Sequence, residues 1–94
     1  MSRAAAIRTL ALCAQAEMAL VRRDPVAGPL LAQAARAAAG TGPAPLVSAA
    51  ADLVRRPPDA PGAPAAARRK VTQALVRAAR IRAEAVLSEP PGGS

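Results

Sequence analysis

Not one phenylalanine, tyrosine or tryptophan occurs in these 94 residues, and that absence governs what the chain can fold into. Aromatic rings supply the largest single burials in most cores. Here the larger apolar side chains are nine leucines, seven valines and two isoleucines, with Met18 and Cys13, set among 28 alanines. Alanine is the strongest helix former but removes little apolar area from water. No apolar run alternates and β-branched residues are few, so strands are not expected. The chain reads as helical but marginal alone, with a second copy or a larger protein completing its core.

Proline and glycine divide the sequence into four helical segments. Ser2 is placed to cap a first helix reaching about Arg23, with Ile7, Leu10, Ala11, Ala14, Met18 and Val21 on its main apolar face. Leu12, Ala16, Ala19 and Leu20 lie on the other side, so this helix should touch two neighbours. Asp24-Pro25 reads as an N-cap followed by a first helical residue, opening a second helix to about Ala39 that Gly40 ends. Its stripe is Leu30, Leu31, Ala34, Ala35 and Ala38. A third helix is expected over 45–56, with Leu46, Val47, Ala50, Leu53 and Val54 inward, and a fourth over 65–88, with Val71, Leu75, Ala78 and Ala85 inward. The expected fold is therefore all-α, a small irregular bundle of three to four short helices in a helical-hairpin arrangement. Residues 1–56 form the three-helix region, 57–64 a proline-rich extended linker, 65–88 a basic amphipathic helix, and 89–94 a disordered tail.

Thirteen basic residues face six acidic ones, for a net charge of +7. Arg68, Arg69, Lys70, Arg77, Arg80 and Arg82 all fall in the fourth helix, where only Glu84 opposes them. On a helical wheel Arg69, Lys70, Arg77 and Arg80 spread over one broad face. With Arg68 they are the candidate contacts for phosphates or for an acidic partner. Twelve arginines against one lysine also follow from GC-rich codons, which equally favour Ala, Gly and Pro, so a plain solvated face is the competing reading. Arg82 points into the apolar arc and Glu17 borders the first helix's stripe. A buried cation needs a carboxylate, so the two either pair within the fold or each pair across an interface, the competing reading being that both are plain edge residues.

The chain has no histidine and a single cysteine, which excludes His-based catalysis, an intrachain disulfide and a Cys-cluster zinc site. Its carboxylates, at positions 17, 24, 52, 59, 84 and 89, form no i, i+3 or i, i+4 pair for metal or acid–base work. Gly40-Thr41-Gly42 lacks the lysine and length of a phosphate loop. No enzyme activity, metal or cofactor is expected, and Cys13 reads as a small buried hydrophobe. Arginines interrupt every apolar run short of the roughly 20 residues of a spanning helix, and a membrane-surface role for the basic fourth helix is the less favoured third reading. The N-terminal stretch, with Arg3, Arg8, Arg22 and Arg23, mimics a targeting peptide. Its reading as the first helix of an intracellular, cytoplasmic domain is preferred.

Residues 16–39, AEMALVRRDPVAGPLLAQAARAAA, resemble the inner part of a tetratricopeptide hairpin. That family sets small residues where its two helices cross, a turn near Asp24-Pro25, and Ala or Leu at the positions of Ala27, Leu31 and Ala34. The aromatic and glycine positions of its first helix are missing, and no second copy follows at 34-residue spacing. The resemblance implies a helical-hairpin scaffold for protein binding. The function expected is thus a small non-enzymatic interaction subunit or chaperone-like adaptor, a partner of a larger protein or of itself. Leu12, Leu20, Leu46, Leu75, Val76 and Leu87 would enter the contact. The alternative is a nucleic-acid-binding module using the fourth helix.

Overall fold

The structure, a computed structural model, describes residues 1–57, 61–62 and 64–89. Residues 58–60, 63 and 90–94 lie outside it, and with them most of the expected linker and disordered tail. Four helices follow in order: α1 (Arg3–Val21), α2 (Ala27–Ala37), α3 (Ala44–Arg55) and α4 (Ala65–Ser88). No strand occurs among the described residues. α1 packs on α2, α2 on α3, α3 on α4, and α4 closes the ring against α1. α4 is therefore a wall of the bundle and not an appendage.

The direction of each helix follows from a few contacts. Arg3 Nη1 donates to the carbonyl of Leu87 at 3.2 Å, and Glu17 meets Arg77 and Arg80, so α1 and α4 run antiparallel. A Cβ built on Gly28 would lie 3.6 Å from Val54 Cγ1, which sets the start of α2 against the end of α3. At about 1.5 Å per residue, α1 and α4 are far longer than α2 and α3. The contiguous core accordingly takes its α1 residues from Leu12 to Leu20 and its α4 residues from Val76 to Ala79. Ala6 and Ala83 are also fully buried but stand outside that cluster.

Helix boundaries follow local chemistry. Ser2 Oγ accepts the Ala5 N–H at 3.1 Å, the expected cap of α1. At the other end the Asp24 N–H reaches the Ala19 carbonyl at 2.8 Å and the Arg23 N–H reaches Leu20 at 3.2 Å. This is the double bond of a Schellman ending, and it puts Arg23 in the left-handed region at φ 56°. A left-handed conformation costs a side-chain-bearing residue about 1–2 kcal/mol, whereas glycine adopts it freely at an unfolded-state entropy cost of about 0.5–1 kcal/mol. Arg23→Gly should therefore stabilise the bundle by roughly 0.5–1 kcal/mol, read as a higher midpoint in thermal unfolding.

The α1–α2 turn departs from the expected N-cap. Asp24 Oδ1 accepts the Val26 N–H at 3.0 Å, a local turn, and the helix begins only at Ala27 with no side-chain cap. Its other end comes at Ala37, before the expected Ala39, and Gly40 takes φ 77° two residues past the cap residue Ala38. Thr41 Oγ1 donates to the Ala38 carbonyl and closes that turn. α3 carries Pro45 in its first turn, where the missing N–H has no partner to lose.

The buried faces of α1 and α4 differ from the expected ones. α1 buries Ala6, Thr9, Leu12, Cys13, Ala16, Ala19 and Leu20. Of the stripe expected to be its core, Ile7, Met18 and Val21 are 53%, 55% and 73% exposed, Ala11 is exposed, and Leu10 and Ala14 are half-buried. α4 buries Arg68, Thr72, Val76, Ala79 and Ala83, while Val71 and Ala85 are exposed and Leu75 and Ala78 only half-buried. The fully buried positions of α1 are small, Ala6, Thr9, Cys13 and Ala16, with Leu12 and Leu20 8% exposed beside them, and in α4 Ala79 and Ala83 are fully buried with Val76. Short side chains let the helix axes approach, and close approach buries more backbone-proximal area than a few long side chains held further apart. α2 and α3 bury the expected faces, with Leu31, Ala34, Val47 and Ala50 fully enclosed.

Candidate functional site

The outer side of α1, where it meets α4, gathers the chemically distinctive residues. An open groove of about 460 Å³ runs along this seam, with Ala14, Met18 and Val21 on one wall and Gln73, Arg77 and Arg80 on the other. Glu17 sits at its base, 17% exposed, and accepts from Arg80 Nη1. Arg77 Nε stands 3.6 Å from the second Glu17 oxygen, and Arg80 Nε lies 3.8 Å from Glu84. Glu17 does find an α4 arginine, as its border position implied, but the partner is Arg80 with Arg77. Arg82, the partner expected for Glu17, is exposed, and the ion pairs of Glu17 are with Arg80 and Arg77 instead.

Cys13 lies fully buried one turn before Glu17. Burial pushes its thiol up to about 11, the Glu17 carboxylate adds to the rise, and Arg80 partly offsets it. Burial and the neighbouring carboxylate both favour the neutral thiol over the thiolate. The Thr9 hydroxyl, also fully buried, has no hydrogen-bond partner among the described residues. No group of three or more His, Cys, Asp or Glu side chains comes together there to hold a metal ion.

The expected contact residues divide sharply. Leu12 and Leu20 are 8% exposed and Val76 is fully buried, so these three belong to the bundle's own core and the expectation of exposure is corrected. Each lies on the same helix face as the fully buried alanines, Ala16 in α1 and Ala79 in α4. Leu46, Leu75 and Leu87 are half-buried, the first two packed against the core cluster. Of the basic candidates, Lys70 and Arg77 are exposed, Arg69 and Arg80 half-buried, and Arg68 is buried at 7%. Arg68 is thus no surface phosphate contact, because it lies on the same side of α4 as Thr72 and Val76.

What sequence reasoning passed over is the exposed apolar row Ile7, Met18 and Val21, which it assigned to the core. Side-chain size was the available signal: Ala6, Thr9, Cys13 and Ala16 repeat small residues at helical spacing on the opposite face. α1 is also long and apolar enough to cross a membrane by length and composition alone, which counting uninterrupted apolar runs did not reveal. In this fold seven of its residues are enclosed by the bundle. Comparison with protein-family models, curated proteins and solved structures finds no match for this chain, the tetratricopeptide likeness of residues 16–39 included.

Proposed function

We propose that the chain is a small non-enzymatic interaction subunit, a chaperone-like adaptor that binds a larger protein through helix–helix packing. The observation that carries this reading is the outer face of α1. Ile7, Met18 and Val21 are each more than half exposed, on one face of a single helix. Scattered apolar residues are ordinary on a surface, whereas a row of them along one helix is what a docking helix covers. The contact thus moves from Leu12, Leu20 and Val76 to this row, with the half-buried Leu87 near its N-terminal end through the Arg3–Leu87 bond.

The double variant Met18→Asp, Val21→Asp tests the reading. Both side chains point to solvent, so the helical signal in circular dichroism should stay at the wild-type level. Association, followed by sedimentation for self-assembly and by quantitative cross-linking for other proteins, should fall at least tenfold. Two charges set in an apolar contact without partners are worth that loss several times over. Association unchanged in the variant would remove α1's outer face from the function.

The second reading, nucleic-acid binding by α4, is supported by Lys70, Arg69 and Arg77, which keep solvent access. Arg68 in the core and Arg80 on Glu17 reduce the phosphate contacts it can offer. Binding of this kind falls steeply with salt, in proportion to the phosphates neutralised, while an apolar helix contact does not.

A further inference from the structure

The groove along the α1–α4 seam combines the apolar row with a particular arrangement of charge. Both walls are continuous helix, α1 with its cap residue Arg22 on one side and the middle of α4, from Gln73 onward, on the other. Arg22, Arg77 and Arg80 line it, with Glu17 the one lining carboxylate. Arg80 is committed twice, donating to Glu17 and standing 3.8 Å from Glu84, which lies outside the groove. Arg77 meets Glu17 through Nε at 3.6 Å, and its side chain stays 75% exposed. Arg22 is exposed and makes no ion pair among the described residues. Three arginines thus share two carboxylates, and the charge left over sits on Arg77 and Arg22, beside the exposed Met18 and Val21.

We infer that the element seated on this seam is an acidic amphipathic helix of the partner protein, its apolar side chains covering Met18 and Val21 and its carboxylates meeting Arg77 and Arg22. This partner class rests on the docking role proposed for α1's outer face and states the chemistry of what docks there. An amphipathic helix carries apolar anchors at i, i+3, i+4 and i+7 with polar residues beside them, which matches an apolar row edged by cations. Guanidinium forks take carboxylates in paired hydrogen bonds, and covering the seam excludes the water that would screen them. A second copy of the chain fits poorly. It would bring the same excess of arginine, with its own Glu17 already paired, to a molecule of net charge +7. A bilayer presents a flat surface, whereas a recess of about 460 Å³ between two helices receives side chains that project from a third.

Fluorescence anisotropy of two labelled synthetic helices, titrated with the full chain, tests this. Both peptides carry leucines at i, i+3, i+4 and i+7; one has glutamates at the flanking positions and the other glutamines. The glutamate peptide should bind saturably and about tenfold more tightly than its glutamine twin. Arg77→Gln or Arg22→Gln should weaken the glutamate peptide about fivefold and leave the glutamine peptide unchanged. Both positions are exposed, so the helical signal in circular dichroism should hold. Arg36→Gln, at an exposed position of α2 outside the groove, should change nothing; an equal loss there would mean attraction by net charge alone and overturn the proposal. Equal affinity for the two peptides, lost in both with Met18→Asp, would keep the docking face and overturn the acidic partner. Glutamate-peptide binding that survives Met18→Asp would instead remove α1's outer face as the docking surface. Failure of both peptides to bind would overturn the proposal, and uptake by phosphatidylserine vesicles in that case would assign the face to lipid.

Discussion

Replacing Val76 with aspartate should abolish cooperative unfolding at 25 °C, leaving a gradual, weakly helical melt. Val76 is fully buried in the core cluster, at the middle of α4. Losing the valine forfeits about 1.5–3 kcal/mol of apolar burial. Enclosing a carboxylate without a partner adds several kcal/mol more, whether it stays charged or takes up a proton to become neutral. Domains are stable by about 0.05–0.15 kcal/mol per residue, so the change consumes most or all of the margin of a chain this size. The experiment also separates two views of the residue. As an interface side chain, which its place in the sequence suggests, Val76 would accept aspartate with the fold intact and only association lost. A cooperative wild-type-like melt for Val76→Asp would therefore contradict the packing of α4 described here.

The boundary of α4 was legible to the residue, because Pro64 and Pro90 bracket a run of strong helix formers that nothing inside interrupts. α3 is displaced by one residue at each end, and the capping role of Ser2 was equally plain. The faces were harder. Hydrophobic periodicity finds the core side of a helix when the opposite side is polar. In α1 both sides are apolar, with Leu12 and Leu20 on one and Ile7, Met18 and Val21 on the other, so periodicity did not single out the buried one. Packing distance decides such a case: where most of the contact is alanine, the helix axes draw close, and the few larger core side chains, Leu12, Leu20, Leu31, Val47 and Val76, fill the space that is left. The same error rotated α4, leaving Val71 outside and drawing Thr72, Val76 and Ala79 in.

That rotation explains the fate of the candidate site. Turning α4 carried Arg68 inward and Arg82 outward, and brought Arg80 to Glu17. A carboxylate at the edge of an apolar stripe announces that some cation will face it, but the identity of that cation depends on the rotation of a second helix.

A core built this way should respond unusually strongly to the loss of a large side chain, and Leu31 is the place to measure it. Among the described residues it heads the fully buried side chains by volume, and it lies in α2 within a core cluster rich in alanine. Truncating a buried leucine costs about 2–5 kcal/mol, the spread set by how far the neighbours can relax into the space. Alanines have no rotamers with which to do so. Ala27 and Ala34, the other buried residues of α2, can fill a void only if the helix moves as a whole, and short turns to α1 and α3 oppose that. Leu31→Ala should therefore fall in the upper half of the range, about 3–5 kcal/mol, measured as a lower urea midpoint with an unchanged slope. Leu20→Ala, at the rim of the core and 8% exposed, should cost less, because water reaches the space it vacates. If the two variants lose equal stability, rigidity of the alanine packing is not what sets the cost. If Leu31→Ala loses less than 2 kcal/mol, the helices must close over the vacancy, and the bundle is looser than its buried alanines imply.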